Sequence, residues 1–170
     1  MDQKKKLTLA LPNVSGSLFT LTGDMMKKGL DASRSSDRLR MILPVHRKQE
    51  AKVQRIVNFL QPGTYIRPHK HPRPHASESI VLLKGSIRFF TFDDEGEVIT
   101  DTILNAAPVP GVVDIEPETW HSFLVLEEDT VLFECKKGPY NAKTDKEFAK
   151  WSPEEGSGKS AAWLKKLSKR

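Results

Sequence analysis

Three of the five histidines, His69, His71 and His75, fall inside one stretch, GTYIRPHKHPRPHASESIVLLKG, which runs from Gly63 to Gly85. Neutral imidazoles are ligands for first-row transition metals, and imidazole carries protons near neutral pH. His69 and His71 are one residue apart. Alternate side chains of a strand leave the same face, so a strand here would aim both rings at one point. Glu78 opens the next apolar run, SIVLLKG, whose length and closing glycine predict a neighbouring strand that brings a carboxylate to the same place. His121 follows the Pro-led turn in DIEPETWH and precedes FLVLE, so it is expected to start a strand with its ring free to turn inward.

Three neutral imidazoles and one carboxylate suit Fe(II), Mn(II), Ni(II), Cu(II) or Zn(II), and do not suit Ca(II) or Mg(II), which prefer oxygen. One such divalent ion is therefore the expected cofactor. Four protein ligands on an ion that accepts five or six leave a position for water or substrate, as catalysis requires. The competing reading is a solvated His/Pro-rich loop, but a His-x-His pair, a carboxylate and a distant histidine converge better on a metal. His46, alone in the polar link HRKQEAK, is expected at the surface.

Parity extends the candidate site. If the strand from Tyr65 is regular, Tyr65 and Arg67 share the face of His69 and His71 and point into the same cavity. An Arg buried beside a cation needs an anion, either a substrate carboxylate or phosphate or an acid such as Glu134. Glu134 and Lys136 share a face near the end of the last predicted strand, and Tyr140 in GPY could close the mouth. Tyr65, Arg67 and Glu134 are thus the catalytic candidates, and Arg67, Tyr65, Lys136 and Tyr140 the substrate-binding ones.

The elements that must position these residues are mostly strands. From Val53 onward, VQRIVNFL, TYIRPH, SESIVLL, SIRFFTF, EVITDTIL, GVVDIE, HSFLVLE and TVLFECK follow as short β-rich runs between turn residues, which predicts an all-β sandwich or barrel. The sharpest hairpin is FFTF-DDEG-EVIT. Upstream, residues 7 to 11 predict a short strand. Asp24 is expected to cap a helix through about Ser33, with Met26 and Leu30 on its apolar face and Gly29 weakening it. LRMILPV predicts another strand, whose Pro44 argues for an edge. Downstream, KEFAKW predicts a helical turn or two with Phe148 and Trp151 against the barrel, and the basic segment around Trp163, Leu164 and Leu167 a frayed terminus. GSGKS resembles the end of a phosphate-binding loop, but Pro153 stands where that motif needs glycine. The expected division is an N-terminal extension over 1–50, a barrel over 51–140 and a C-terminal extension with a basic tail over 141–170.

A chain of 170 residues with 38% hydrophobic content supports one domain with a real core. The formal charge of +5 is carried by Lys159, Lys165, Lys166, Lys169 and Arg170, so the remainder balances and no basic stripe points to nucleic acid. Cys135 is the single cysteine, which excludes an internal disulfide and suits a reducing compartment. Lys4, Lys5 and Lys6 precede an apolar run too short for a signal peptide, and no stretch is long enough to span a bilayer. A soluble cytoplasmic protein is expected.

The Gly63–Gly85 stretch resembles the first motif of the cupin superfamily: glycine, five residues, His-x-His, a gap, Glu, six residues, glycine. The segment around His121 resembles the second. The segments SSDRLR, VQRIVNFLQPGTYIRPHKH, EPETWH, ECKKGPY and KEFAKWSPEE are similar to the WbuC-type branch of cupin metalloproteins, from about residue 20 to 156. The resemblance implies a single double-stranded β-helix, or jelly-roll, barrel with short helical extensions at both ends. It also implies a metal near the mouth on His69, His71, Glu78 and His121, and a frequent tendency to dimerise through β edges. Two features depart from the pattern. The His71 to Glu78 gap is six residues instead of three or four, so His75 could substitute for Glu78. In the second motif Thr119 and Val125 stand where cupins usually carry glycine and asparagine.

The expected function is that of a metal-binding cupin acting on a small sugar-derived or anionic metabolite. The WbuC resemblance suggests a link to surface-polysaccharide (O-antigen) synthesis. A non-catalytic, metal-dependent binding or sensing module is the alternative.

Overall fold

The computed structural model describes residues 9–170, so the Lys4–Lys6 cluster and the start of the strand predicted at 7–11 lie outside the described residues. The elements are α1 (Gly23–Arg34), β1 (Arg40–Pro44), β2 (Val53–Leu60), β3 (His69–Lys70), β4 (Glu78–Lys84), β5 (Ser86–Phe92), β6 (Val98–Asn105), β7 (Val112–Ile115), β8 (Trp120–Val125), β9 (Thr130–Lys137), β10 (Glu147–Phe148) and α2 (Ser160–Ser168). Ten antiparallel strands form two five-stranded sheets, ordered β1-β2-β9-β4-β7 and β10-β3-β8-β5-β6.

Period-two alternation decides which side chains fill the space between the sheets. On β5, Ile87 and Phe89 join Leu60, Ile80, Leu82, Ile115, Phe123, Val125 and Leu132 in the barrel core. Phe90 and Phe92 of the same strand pack on the opposite face with Trp120 and Leu124. Each fully buried side chain of this size contributes roughly 1.5–3 kcal/mol. The hairpin predicted at DDEG is present, with Asp93 Oδ1 accepting from the backbone N–H of Glu95 and Glu97.

The outer faces are covered by the two ends of the chain. Helix α1 is capped by Thr22, whose side chain accepts from Met25 N at 3.4 Å; Asp24 lies in the first turn instead of capping it. Leu30 packs with Leu43, Val57, Phe59 and Val131, and Met26 lies against them. A Cβ on Gly29 would stand 2.3 Å from the Phe59 ring, so this glycine lets helix and sheet approach. Strand β1 is an edge strand, and Pro44 ends it as expected.

Several expectations fail at the C-terminal end. KEFAKW makes no helix: Glu147 and Phe148 pair with Lys70 and His69 as β10, and Trp151 turns in against Phe92, with ring centroids 5.1 Å apart. The terminus is not frayed. Helix α2 folds back, burying Leu167 to 5% exposure with Trp163 and Leu164 beside it, because the aromatic outer face around Phe90, Phe92 and Trp120 offers an apolar surface. Residues 64–68 are not a ladder strand. His46 is buried, at 2% exposure, with Nδ1 within hydrogen-bond distance of Arg55 N and O. No helix among the described residues is long and apolar enough to cross a membrane.

Candidate metal centre

The four ligands come from both sheets. His69 opens β3, and its register partner across the antiparallel ladder is His121 on β8, so the two rings leave the same face with centroids 4.4 Å apart. His71 lies two residues on from His69 and keeps its parity, and its ring centroid is 5.3 Å from that of His69. Glu78, the first residue of β4, crosses from the facing sheet. One potential ligand atom from each of these four residues lies within 4.8 Å of all the others, and each residue is no more than 4% exposed.

Backbone carbonyls set the tautomer of every ring. His69 Nδ1 lies 2.9 Å from Arg67 O, His121 Nδ1 lies 2.8 Å from Thr119 O, and His71 Nδ1 lies 2.6 Å from Asp145 O. A carbonyl oxygen only accepts, so each Nδ1 carries the proton and each neutral ring presents an Nε2 lone pair to the centre. His71 Nε2 and His121 Nε2 stand 3.0 and 3.2 Å from Glu78 Oε2, and His69 Nε2 is buried without a hydrogen-bond partner. Nε2 atoms this close to a carboxylate oxygen need either a proton or a cation between them, and with every Nδ1 already protonated a metal ion lets all three rings stay neutral. The donor set therefore fits a first-row transition metal, held by three nitrogens and one oxygen.

Electrostatics agree with this. Burial, followed by the Lys146 and His121 charges, holds His69 well below the ordinary imidazole range, which keeps it neutral and able to ligate. Burial alone would raise Glu78. Hydrogen bonds donated by the His121 and His71 rings, then the His121 and Lys146 charges, outweigh it and hold the carboxyl well below its usual range; a cation among the ligands would take over that role from the ring protons. On the same inward parity, Glu134 receives a hydrogen bond from Asn58 Nδ2 at 3.2 Å and lies 3.9 Å from Lys136 Nζ. Burial and the neighbouring Glu78 charge push its carboxyl up to about 7.

The other expected site residues fall as follows. His75 is exposed with φ 58° and stands outside the cage, so Glu78 completes it in spite of the long gap. Tyr65 and Arg67 do not share the histidines' cavity, because the backbone before β3 is not a regular strand. Tyr65 OH donates to Pro153 O at 2.8 Å, and Arg67 donates to Ser152 Oγ and Ala149 O with its guanidinium over Phe148. Neither Glu134 nor a carboxylate of the cage pairs with Arg67. Lys136 donates to Asp145 Oδ2 at 2.6 Å in a buried pair, with Nζ 6.0 Å from the half-exposed Tyr140 ring.

Residues 145–155 were missed as part of the site. They form a strap over it: Asp145 O orients His71, Ala149 N donates to Pro68 O, and Glu155 at the far end pairs with Arg40 at 2.5 Å. The strap also carries Lys146, whose charge bears on His69, Glu78 and Glu134. No spacing rule links Asp145 and Lys146 to a motif more than seventy residues upstream, and β10 is only two residues long.

Comparison with known proteins places the fold. Oxalate oxidase in complex with the substrate analogue glycolate superposes with a TM-score of 0.51 over 67% of this chain and 57% of that one, at 15% identity. The barrel has the cupin fold. At such identity the likeness concerns architecture alone. Oxalate decarboxylase from Bacillus subtilis matches 64% of the chain and 27% of its own length, with a TM-score of 0.48 at 15% identity. The matching family model, described as "Domain of unknown function (DUF6016)", spans residues 21–104. A curated relative, "Probable S-adenosyl-L-methionine-dependent methyltransferase TehB" of Haemophilus influenzae (strain 10810), is 33% identical over 67 residues, which are 38% of this chain. The match spans 23% of that relative's length, so its named activity belongs to a much longer protein. This chain is thus a cupin-fold protein with a buried His3Glu cluster.

Proposed function

We propose that this cupin is a metalloenzyme that binds one divalent first-row transition metal on His69, His71, Glu78 and His121 and acts on a small metabolite beside it. One observation carries the reading: three imidazoles whose Nδ1 protons are committed to carbonyls direct their Nε2 atoms toward one ionised carboxylate. The ion supplies Lewis acidity, or electrons if it is redox-active. The four side chains hold it, the two sheets exclude bulk water, and the strap fixes the His71 ring. The WbuC resemblance of the sequence supports a sugar-derived or anionic substrate linked to surface polysaccharide synthesis. The single cysteine supports a cytoplasmic setting. The exposed Ile99, Ile103 and Val112 on edge strands β6 and β7 support pairing of two copies.

A non-catalytic binding or sensing role is the second reading, and cavity placement favours it. A cavity of about 240 Å³ between β8 and α2 is lined by Leu124, Val125, Leu126 and Leu164 and by none of the cage residues. Elemental analysis of purified protein should find about one first-row metal per chain, lost in His69→Ala. A folded preparation that takes up none of Fe, Mn, Ni, Cu and Zn would refute the centre. Turnover of sugar nucleotides or organic acids that disappears in His69→Ala favours the enzyme; ligand binding without turnover favours the sensor.

A further inference from the structure

The strap delivers one lysine to the cage. Phe148 and Glu147 on β10 pair with His69 and Lys70, where the ladder ends; Lys146 is the next residue, and Asp145 beside it holds the His71 ring through its carbonyl. Lys146 thus lies between two residues that touch the cage rings, Phe148 with its ring 6.2 Å from that of His69 and Asp145 on His71, and its charge bears on His69, Glu78 and Glu134. Its ammonium is partly buried and has no hydrogen-bond or ion-pair partner among the described residues, although Glu78, Glu134 and Asp145 all act on it at longer range. Lys136 differs: it is committed to Asp145 at 2.6 Å. Arg67, the cation expected to read an anion, is tied to Ala149 O and Ser152 Oγ.

The charges around the cage are then unequal. Lys136, Lys146 and a divalent ion would face Glu78, Glu134 and Asp145, a formal surplus of one positive charge that grows when Glu134 holds its proton and that an anion would offset. A partly buried ammonium without a direct partner is incompletely solvated, and burial together with Lys136 pushes Lys146 below the ordinary lysine range. A carboxylate with one oxygen toward the metal and the other toward Nζ would satisfy both. Each of the four cage residues is no more than 4% exposed, so little open space adjoins them and a compact acid fits better than a large one.

We infer that Lys146 is the anion-reading residue of this site, and that the ligand taken beside the metal is a compact organic acid whose carboxylate bridges the metal and the Lys146 ammonium. This rests on the metal-centre reading above. It adds the substrate class and a residue outside the two histidine-bearing motifs of the sequence.

The test uses full-length protein loaded with Co(II), whose visible spectrum reports coordination, titrated with acetate and with neutral acetamide as control. Wild type, Lys146→Met and Lys146→Arg are compared, with cobalt per chain and melting temperature measured for each. Lys146→Met should keep about one cobalt per chain yet bind acetate at least about tenfold more weakly, the loss expected for one charge-assisted hydrogen bond. Lys146→Arg should recover most of that loss, and acetamide should bind poorly to all three. Equal acetate affinity in wild type and Lys146→Met, or acetamide binding as tight as acetate, overturns the assignment of Lys146 while leaving the metal centre standing. Wild type that binds no cobalt refutes the metal centre and this inference with it.

Discussion

The backbone carbonyl of Asp145 accepts a 2.6 Å hydrogen bond from Nδ1 of His71, seventy-four positions earlier, and so the C-terminal strap orients a ring of the metal cage. Outer partners of this kind are typically worth 10–100-fold in metal affinity. Truncation after Gly156 removes α2 and leaves the strap, so metal stoichiometry should survive. Truncation after Thr144 should weaken metal binding by at least about tenfold, measured by competition with a chromogenic chelator on chains whose circular dichroism shows retained β structure. Equal affinity in the two truncations would show that the strap contact is incidental.

Metal binding should stabilise the native chain by mass action. At a hundredfold excess over the dissociation constant the gain is about 2.7 kcal/mol, or roughly 5–10 °C in melting temperature for a domain of this size. Adding Mn, Ni or Zn to chelator-treated protein should therefore raise the melting temperature in a fluorescence scan. His121→Ala should abolish most of the shift. A shift of the same size in the variant would remove His121 from the ligand set.

The C-terminal helix is held by its apolar face, in which Leu167 is buried with Phe90, Phe92, Trp120 and Leu124. Leu167→Ala should cost about 2–5 kcal/mol, the range for a buried leucine truncated to alanine. It should leave metal content unchanged, because none of the cage ligands belongs to that cluster. Denaturant unfolding reads the first quantity and elemental analysis the second. A loss below about 0.5 kcal/mol, the scale of surface substitutions, would mean that the helix contributes little to the fold.

Asp129 supplies a pH signature remote from the cage. Burial opposes its ionisation, but hydrogen bonds from Gln61 Nε2 and Arg34, together with Arg34 and Lys84 charges, hold its carboxyl below the ordinary value. A carboxyl lowered on folding adds stability that is present above its unfolded pKa, about 3.9, and is lost as pH falls through its folded pKa. The stability advantage of wild type over Asp129→Asn should thus be full at pH 7 and shrink on acidification below about 4. A difference that stays constant from pH 7 to about 3 would show that Asp129 is not the titrating group.

The strands were the most legible part of the fold, because alternation is written locally: SESIVLL, SIRFFTF, HSFLVLE and TVLFECK all lie on ladders. The ligand set was legible for a related reason. His69 and His71 carry their parity in their spacing, and Glu78 and His121 open apolar runs. The parity argument broke at Tyr65 and Arg67, where Pro68 precedes a strand of two residues and the chain before it is irregular. His46 read as a surface residue because its neighbours are polar, yet its hydrogen bonds to Arg55 hold it inside.

The sequence alone determined the two-sided strands and the donor types of the candidate cage, since residue type and short-range spacing specify which face a side chain leaves. The tertiary structure alone decided that Glu78, not His75, closes the cage. It also decided that Arg67 is consumed by the strap, that the charge of Lys146 bears on the cage and that the C-terminal helix is folded. Those outcomes depend on pairings across tens of residues, such as Phe148 with His69 and Asp145 with His71. They are selected by apolar burial and hydrogen-bond satisfaction over the whole barrel, which no local pattern encodes.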